Sequence, residues 1–291
     1  MPSLRSLVAA HRTVLLIDSA SASIQVGLWR CDRAADLPGS RERQPLDFAR
    51  GPDPFDSAQG HPEPACGELV ESVERMSLSN GSVDQPLPEA IWHASNQEAG
   101  IAIFVGVDAV LAQAGIDVTD LGALVFCEGP GSILGIRSAA MALRIWSAAG
   151  GLTVPAFAYR SLELIAHDLR RRGVTAPCAV LADARRDTWH WINVPVEGAI
   201  GPLQRVPTAG VAEFGGRLFT PAGFRVWAKP PGEVSIIPYD LADLWRHQGD
   251  ADLLSAAPQP DAFLHEDATY ATWTPQIHRA GVRPSRPRAD S

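Results

Sequence analysis

The chain divides into blocks of different periodicity. Thr13–Arg30, TVLLIDSASASIQVGLWR, opens on the unbroken apolar run Val14–Ile17, the pattern of a strand buried on both faces. After a turn of small residues, Ile24, Val26 and Leu28 alternate with Gln25, Gly27 and Trp29, which predicts a half-buried partner strand. From about 32 to 89 this periodicity is lost among Pro, Gly, Ser and Glu. A structureless stretch of that length does not fit a core, so it reads as a largely disordered insertion in a surface hairpin.

Order resumes near Glu98, where Ile101, Val105, Val110 and Leu111 lie at near-helical spacing ahead of a glycine stop. The short buried strand ALVF then runs into Gly129-Pro130-Gly131-Ser132, and a helix from Ile133 to Ala149 follows with almost no polar face. A helix apolar all round is either buried on every side or covered by a partner. After Gly150-Gly151 come a strand, GLTVPAFAYR, and an amphipathic helix, Ser161–Gly173, with Ser161 as its expected N-cap and arginines in its last turn. CAVLADARRDTWHWINV reads as strand, charged turn, strand, and YDLADLWRHQG as a further helix. Strand hairpins followed by β-α alternation predict mixed sheets with helices packed on them.

Composition narrows the function classes. At 291 residues, with 46% hydrophobic and 20% charged positions, this is an ordinary globular chain of one large or two modest domains. A net charge of −8 argues against an autonomous nucleic-acid binder, because phosphate contacts need clustered Lys and Arg. Four widely spaced cysteines without a Cys-x-x-Cys pair point away from a disulfide framework or a structural zinc site. No run approaches the roughly 18 apolar residues of a membrane span. The apolar stretch at the N-terminus is too short for a signal-peptide core, so a cytoplasmic location is expected.

Three places carry candidate chemistry. The Gly129–Ser132 turn opens a helix, where backbone N–H groups and the helix dipole favour anions. No Gly-Lys-Ser/Thr follows it and the three-glycine dinucleotide spacing is missing, so a capped strand-to-helix turn is the better reading. Asp18, followed by Ser19, ends the first buried strand, and Asp183, followed by Arg185, ends a later one. A strand-end carboxylate can position a metal-bound phosphate or water, although Asp also caps turns routinely. The eight histidines include no pair three to five residues apart, and no Gly-x-Ser-x-Gly elbow is present.

LLIDSASASIQVGLW at Leu15–Trp29, GPGSILGIR at Gly129–Arg137 and LADARRDTWHW at Leu181–Trp191 together resemble the TsaB (YeaZ) family. A weaker match, FLHEDATYATW, lies near the C-terminus. That family is the dimerisation subunit of the bacterial machinery that makes N6-threonylcarbamoyladenosine at position 37 of tRNA. The resemblance implies an α/β, actin-like (ASKHA) fold with two similar mixed-sheet lobes. The lobes are expected at 12–150, carrying the insertion at about 32–89, and at 151–278, with a flexible tail at 279–291.

It also implies a non-catalytic role, since in such systems the related TsaD subunit carries the metal-binding histidines and transfers the threonylcarbamoyl group. The expected partners are a TsaD-like catalytic subunit and a TsaE-like ATPase, with tRNA met only through the complex and no membrane. No cofactor is expected to bind tightly. ATP or ADP at the subunit junction, and a homodimer of the isolated chain, are left open. Gly129, Pro130, Gly131, Ser132, Ile133, Ile136, Arg137, Ala140, Leu143 and Arg144 are the candidates for shaping the helix start or meeting the partner. Ile133, Ile136, Ala140 and Leu143 would pack within or between chains. Asp18, Ser19, Asp183 and Arg185 are the positions left for a nucleotide. The competing readings are an independent ASKHA-type ATPase or small-molecule kinase, and a peptidase.

Overall fold

In the computed structural model, residues 1–31, 87–149 and 153–265 are described. Nearly all of the 32–89 insertion, the Gly150-Gly151 stop, most of the C-terminal motif and the tail lie outside them. The first sheet contains β1 (Thr13–Asp18), β2 (Ile24–Arg30), β3 (Ile91–Ser95), β4 (Ala123–Gly129), β5 (Ala156–Arg160) and the two-residue β11 (Ser255–Ala256). The second contains β6 (Cys178–Asp183), β7 (Thr188–Val194), β8 (Gln204–Pro207), β9 (Arg217–Pro221) and β10 (Val234–Ile237).

The two sheets repeat one plan. In the first, β1 pairs antiparallel with β2, β2 antiparallel with β3, and β4 and β5 add in parallel on the other side. In the second, β6 pairs antiparallel with β7, β7 antiparallel with β8, and β9 and β10 add in parallel. This is the two-lobed α/β architecture expected of an actin-like fold.

Helices fill the layers between and around the sheets. α2 (Ala99–Ala114) and α3 (Ile133–Ala149) cover one face of the first sheet, sealing a core that includes Ile17, Val26, Val110, Phe126 and Trp146. On the opposite face lie α1 (Leu4–His11), α4 (Ser161–Arg171) and α6 (Leu241–Gln248). That core continues without a break onto the second sheet through Val180, Ile192 and Phe219. The outer face of the second sheet has a smaller cluster around Leu181, Trp189 and Trp191, with Val211 of the short α5 (Thr208–Ala212) packed on it. No described helix is long and apolar enough to cross a membrane.

Several boundaries differ from the sequence reading. The first lobe starts earlier than residue 12, because Leu4, Leu7 and Val8 of α1 are buried against the sheet. A division at 150 falls ahead of β5, which belongs to the first sheet, and β11 returns to that sheet from far downstream. The last part of the expected insertion runs up to β3, a five-residue strand that the periodicity did not reveal. β2 is buried on both faces rather than one. Trp29 packs edge-on against Trp92, with ring centroids 5.2 Å apart. Gln25 is covered yet satisfied, its amide donating to the Tyr239 carbonyl at 3.0 Å and accepting from the Leu241 N–H at 2.9 Å.

Trp245 of α6 is fully buried between the sheets, with its ring edge-on to Tyr159 at 5.1 Å. Trp245→Ala would leave a large cavity where both lobes meet. It should cost about 3–5 kcal/mol of unfolding free energy, measured by urea denaturation.

Candidate functional site at the lobe junction

The Gly-Pro-Gly turn lies where β4 ends and α3 begins. Gly129 has φ 116°, a conformation that residues with a Cβ rarely adopt. Just ahead of α3 the β1–β2 turn presses in. The Ser132 N–H donates to the Ala20 carbonyl at 2.7 Å. A Cβ on Gly131 would stand 2.4 Å from that oxygen, and one on Gly135 2.3 Å from the Ser19 carbonyl. Ser132 caps the helix, its hydroxyl accepting from the Gly135 N–H at 3.4 Å. The space that a phosphate would need at the helix mouth is therefore held by two protein carbonyls, groups that repel an anion. Ser161 reinforces the turn instead of capping α4, since its hydroxyl donates to the Pro130 carbonyl at 2.6 Å.

Asp18 is also engaged. It is fully buried, and one carboxyl oxygen accepts from Tyr159 at 2.6 Å and Tyr239 at 2.7 Å, while the other accepts from the Ala20 N–H at 2.9 Å. Burial pushes its pKa upward and these donors oppose the rise. The same burial, with the neighbouring carboxylate, pushes both tyrosines well above their usual range. Neither Asp18 nor the buried Ser19 lines the cleft described below, so the structure does not join them to Asp183 and Arg185.

The junction nevertheless contains a cleft of about 420 Å³. On one side stand Gly131, Ser132, Ile133 and Leu134; on the other, Asp183, Ala184 and Arg185 of the β6–β7 turn. Two motifs about fifty residues apart in sequence thus face each other. Asp183 organises the far wall, since its carboxylate accepts the N–H groups of Arg185 (2.6 Å), Trp227 (2.6 Å) and Ala228 (2.8 Å). Arg185, Arg186 and Asp187 all have positive φ, and the Arg185 guanidinium lies over the Trp227 ring, 4.9 Å from its centroid.

Sequence spacing missed a histidine pair. The rings of His190 and His265 stack with centroids 5.0 Å apart, and a nitrogen–nitrogen contact of 2.9 Å joins them across the cleft wall. Burial, then the charges of His265 and Arg205, lower the His190 pKa to about 4. Residues 75 apart carry no local signature of such a contact. Among the described residues, no group of three or more His, Cys, Asp or Glu side chains could hold a metal ion.

The remaining candidates divide by the face of α3 they occupy. Ile136, Ala140 and Leu143 are buried within this chain's own core, so they do not form an exposed contact surface. The outward face instead carries Ile133, Leu134, Met141 and Ile145, with Arg137 and Arg144 beside Asp261 at 4.0 and 3.4 Å. On neighbouring α2, Ile101 and Val105 are also exposed.

Both helices fall within a stretch that has known relatives. Residues 99–200 match the TsaD family. That model is described as tRNA N6-adenosine threonylcarbamoyltransferase, and it spans about a third of this chain. YeaZ from Pseudomonas aeruginosa has a similar structure, with 17% identity over 87% of this chain and 99% of that one, at a TM-score of 0.49. So does an uncharacterised Pseudomonas aeruginosa protein described as similar to the peptidase YeaZ. It is 17% identical over 87% and 98% of the two chains, at a TM-score of 0.47. No curated protein matches the chain by sequence.

Two outcomes test this geometry. Gly135→Ala forces a Cβ against the Ser19 carbonyl and should cost roughly 1–3 kcal/mol, read as a lower urea midpoint. For Asp18, the folded state holds its proton more tightly than the unfolded chain. The contribution of Asp18 to stability should therefore be full below the ordinary carboxylate range and be lost as pH rises through that range to the raised folded pKa. Asp18→Asn should lack this slope in melts run at stepped pH. Parallel curves for the two proteins would show that Asp18 titrates normally.

Proposed function

We propose that this chain is a non-catalytic, cytoplasmic subunit that pairs with a TsaD-like threonylcarbamoyltransferase and supports N6-threonylcarbamoyladenosine formation at position 37 of tRNA. One observation carries the reading: α2 and α3 expose Ile101, Val105, Ile133, Leu134, Met141 and Ile145 on one side of the first lobe. Exposed apolar side chains gathered on adjacent helices suit a partner with a matching apolar face. The family match over 99–200 includes both helices and supports a partner from the same machinery. In this reading Arg137, Arg144 and Asp261 rim the contact, where charges guide encounter more than they add affinity.

A TsaE-like ATPase is the further protein partner, and tRNA is reached through the complex. ATP or ADP would bind at the junction of the assembled subunits. The mouth of α3 in this chain is a poor place for it, because the Ser19 and Ala20 carbonyls stand there. A homodimer of the isolated chain would use the same apolar face.

Leu134→Glu and Met141→Glu place charge on exposed positions and should leave the melting temperature unchanged. Each should weaken binding to the host's TsaD-like protein at least about tenfold, measured by calorimetry, because a buried unpaired charge is costly. Omitting this chain from a reconstitution containing ATP, bicarbonate, threonine, tRNA and the other pathway proteins should abolish the modified nucleoside in mass spectra. Undiminished product without the chain would refute the role.

A further inference from the structure

A second cavity lies on the face of the first sheet that carries α1 and α6, opposite the face covered by α2 and α3. Its volume is about 500 Å³, and it shares no lining residue with the cleft between the lobes. Two indoles from adjacent strands form its apolar wall, Trp29 of β2 and Trp92 of β3. Gly27, the register partner of Trp92, makes room for the second ring, since a Cβ there would stand 2.7 Å from it. Trp92 is thus seated on bare backbone and braced by the edge-on ring of Trp29, which is itself 2% exposed. Rings fixed in this way offer apolar contact without losing rotamer freedom when a ligand arrives.

Charge adds a second requirement. Three charged side chains line the cavity. Arg5 is held by Asp250, its Nη2 donating to a carboxylate oxygen at 2.8 Å. Glu89, just ahead of β3, and Arg246, on α6, differ from it. Both are exposed, and neither forms an ion pair with the other or with any described residue. One cavity therefore presents an acid, a base and two indoles. Its size falls within the range of small-molecule sites, about 300–1,000 Å³. A ligand of single charge would satisfy one of these groups and be repelled by the other, whereas a ligand carrying both signs satisfies both.

We propose that this cavity binds a zwitterion of the amino-acid class with a large apolar side chain. The side chain lies against Trp29 and Trp92. Arg246 holds the carboxylate through charge-assisted hydrogen bonds, and Glu89 accepts from the ammonium. The site lies on the far side of the sheet from the partner face proposed for α2 and α3. It stands or falls without that pairing, and its test needs no partner protein.

The test titrates the full chain, labelled with nitrogen-15, separately with L-phenylalanine and L-leucine in mildly acidic buffer. The Trp92 indole N–H is the reporter, assigned from the spectrum of Trp92→Phe. A saturable one-to-one shift with at least one of the two is expected. The amide of the tighter amino acid lacks the carboxylate, and its N-acetyl form lacks the ammonium. Each should bind about tenfold more weakly than the free amino acid. Arg246→Ala should remove the preference over the amide and keep the preference over the N-acetyl form, and Glu89→Gln should do the reverse. Both positions are exposed, so the melting temperature should not change, and Arg144→Ala, outside the cavity, should leave binding unaltered. No saturable shift with either amino acid overturns the proposal. So do blocked forms that bind as tightly as the free amino acid, or a loss shared equally by all three variants.

Discussion

A buried carboxyl holds this molecule together. Asp18 ends the first strand, yet its hydroxyl donors come from the end of β5 and from the segment leading into α6. A group so deeply desolvated is tolerable only with its hydrogen bonds made, so Tyr159 and Tyr239 are fixed once Asp18 is in place. Tyr239 supplies the Gln25 contact through its carbonyl, and Tyr159 supplies the ring face that Trp245 meets. The two sheets are thus locked around a layer of helices by a few polar bonds inside an apolar core. The same strand end places the Ser19 and Ala20 carbonyls at the mouth of α3, so the bond that secures the lobes also shapes the site.

Much of this was legible in the sequence. The Val14–Ile17 run, the strand into Gly129 and the apolar helix after it all follow from periodicity and turn chemistry, which the local chain carries by itself. The motifs at Gly129–Arg137 and Leu181–Trp191 could be picked out as well, although their spacing did not say that they face each other across a cleft. What escaped reading depends on distant contacts. Gln25 and Trp29 look like solvent-facing positions until Tyr239, Leu241 and Trp92 cover them. Ser161 has the chemistry of an N-cap, but Pro130, thirty-one residues away, takes its hydroxyl. His190 and His265 form a pair that no spacing rule could anticipate.

The helix after the glycine turn shows how composition misleads when it is not resolved by face. Its apolar residues divide between two tasks: Ile136, Ala140 and Leu143 fill the core beneath, while Leu134, Met141 and Ile145 look outward. A count of hydrophobic residues sees one property where the fold makes two, and only the outward set is available to a partner.

The short strand β11 returns a late part of the described chain to the edge of the first sheet. Ser255 and Ala256 pair antiparallel with Ala158 and Phe157, and the Ala257 N–H adds a bond to the Ala156 carbonyl at 2.8 Å. β5 would otherwise be an open edge. The lobes are consequently interlaced rather than strung in series, and a first lobe severed after β5 would present unpaired backbone along a hydrophobic sheet, a surface that recruits further strands and aggregates. The unit that can be moved, fused or inherited intact is the pair of lobes together.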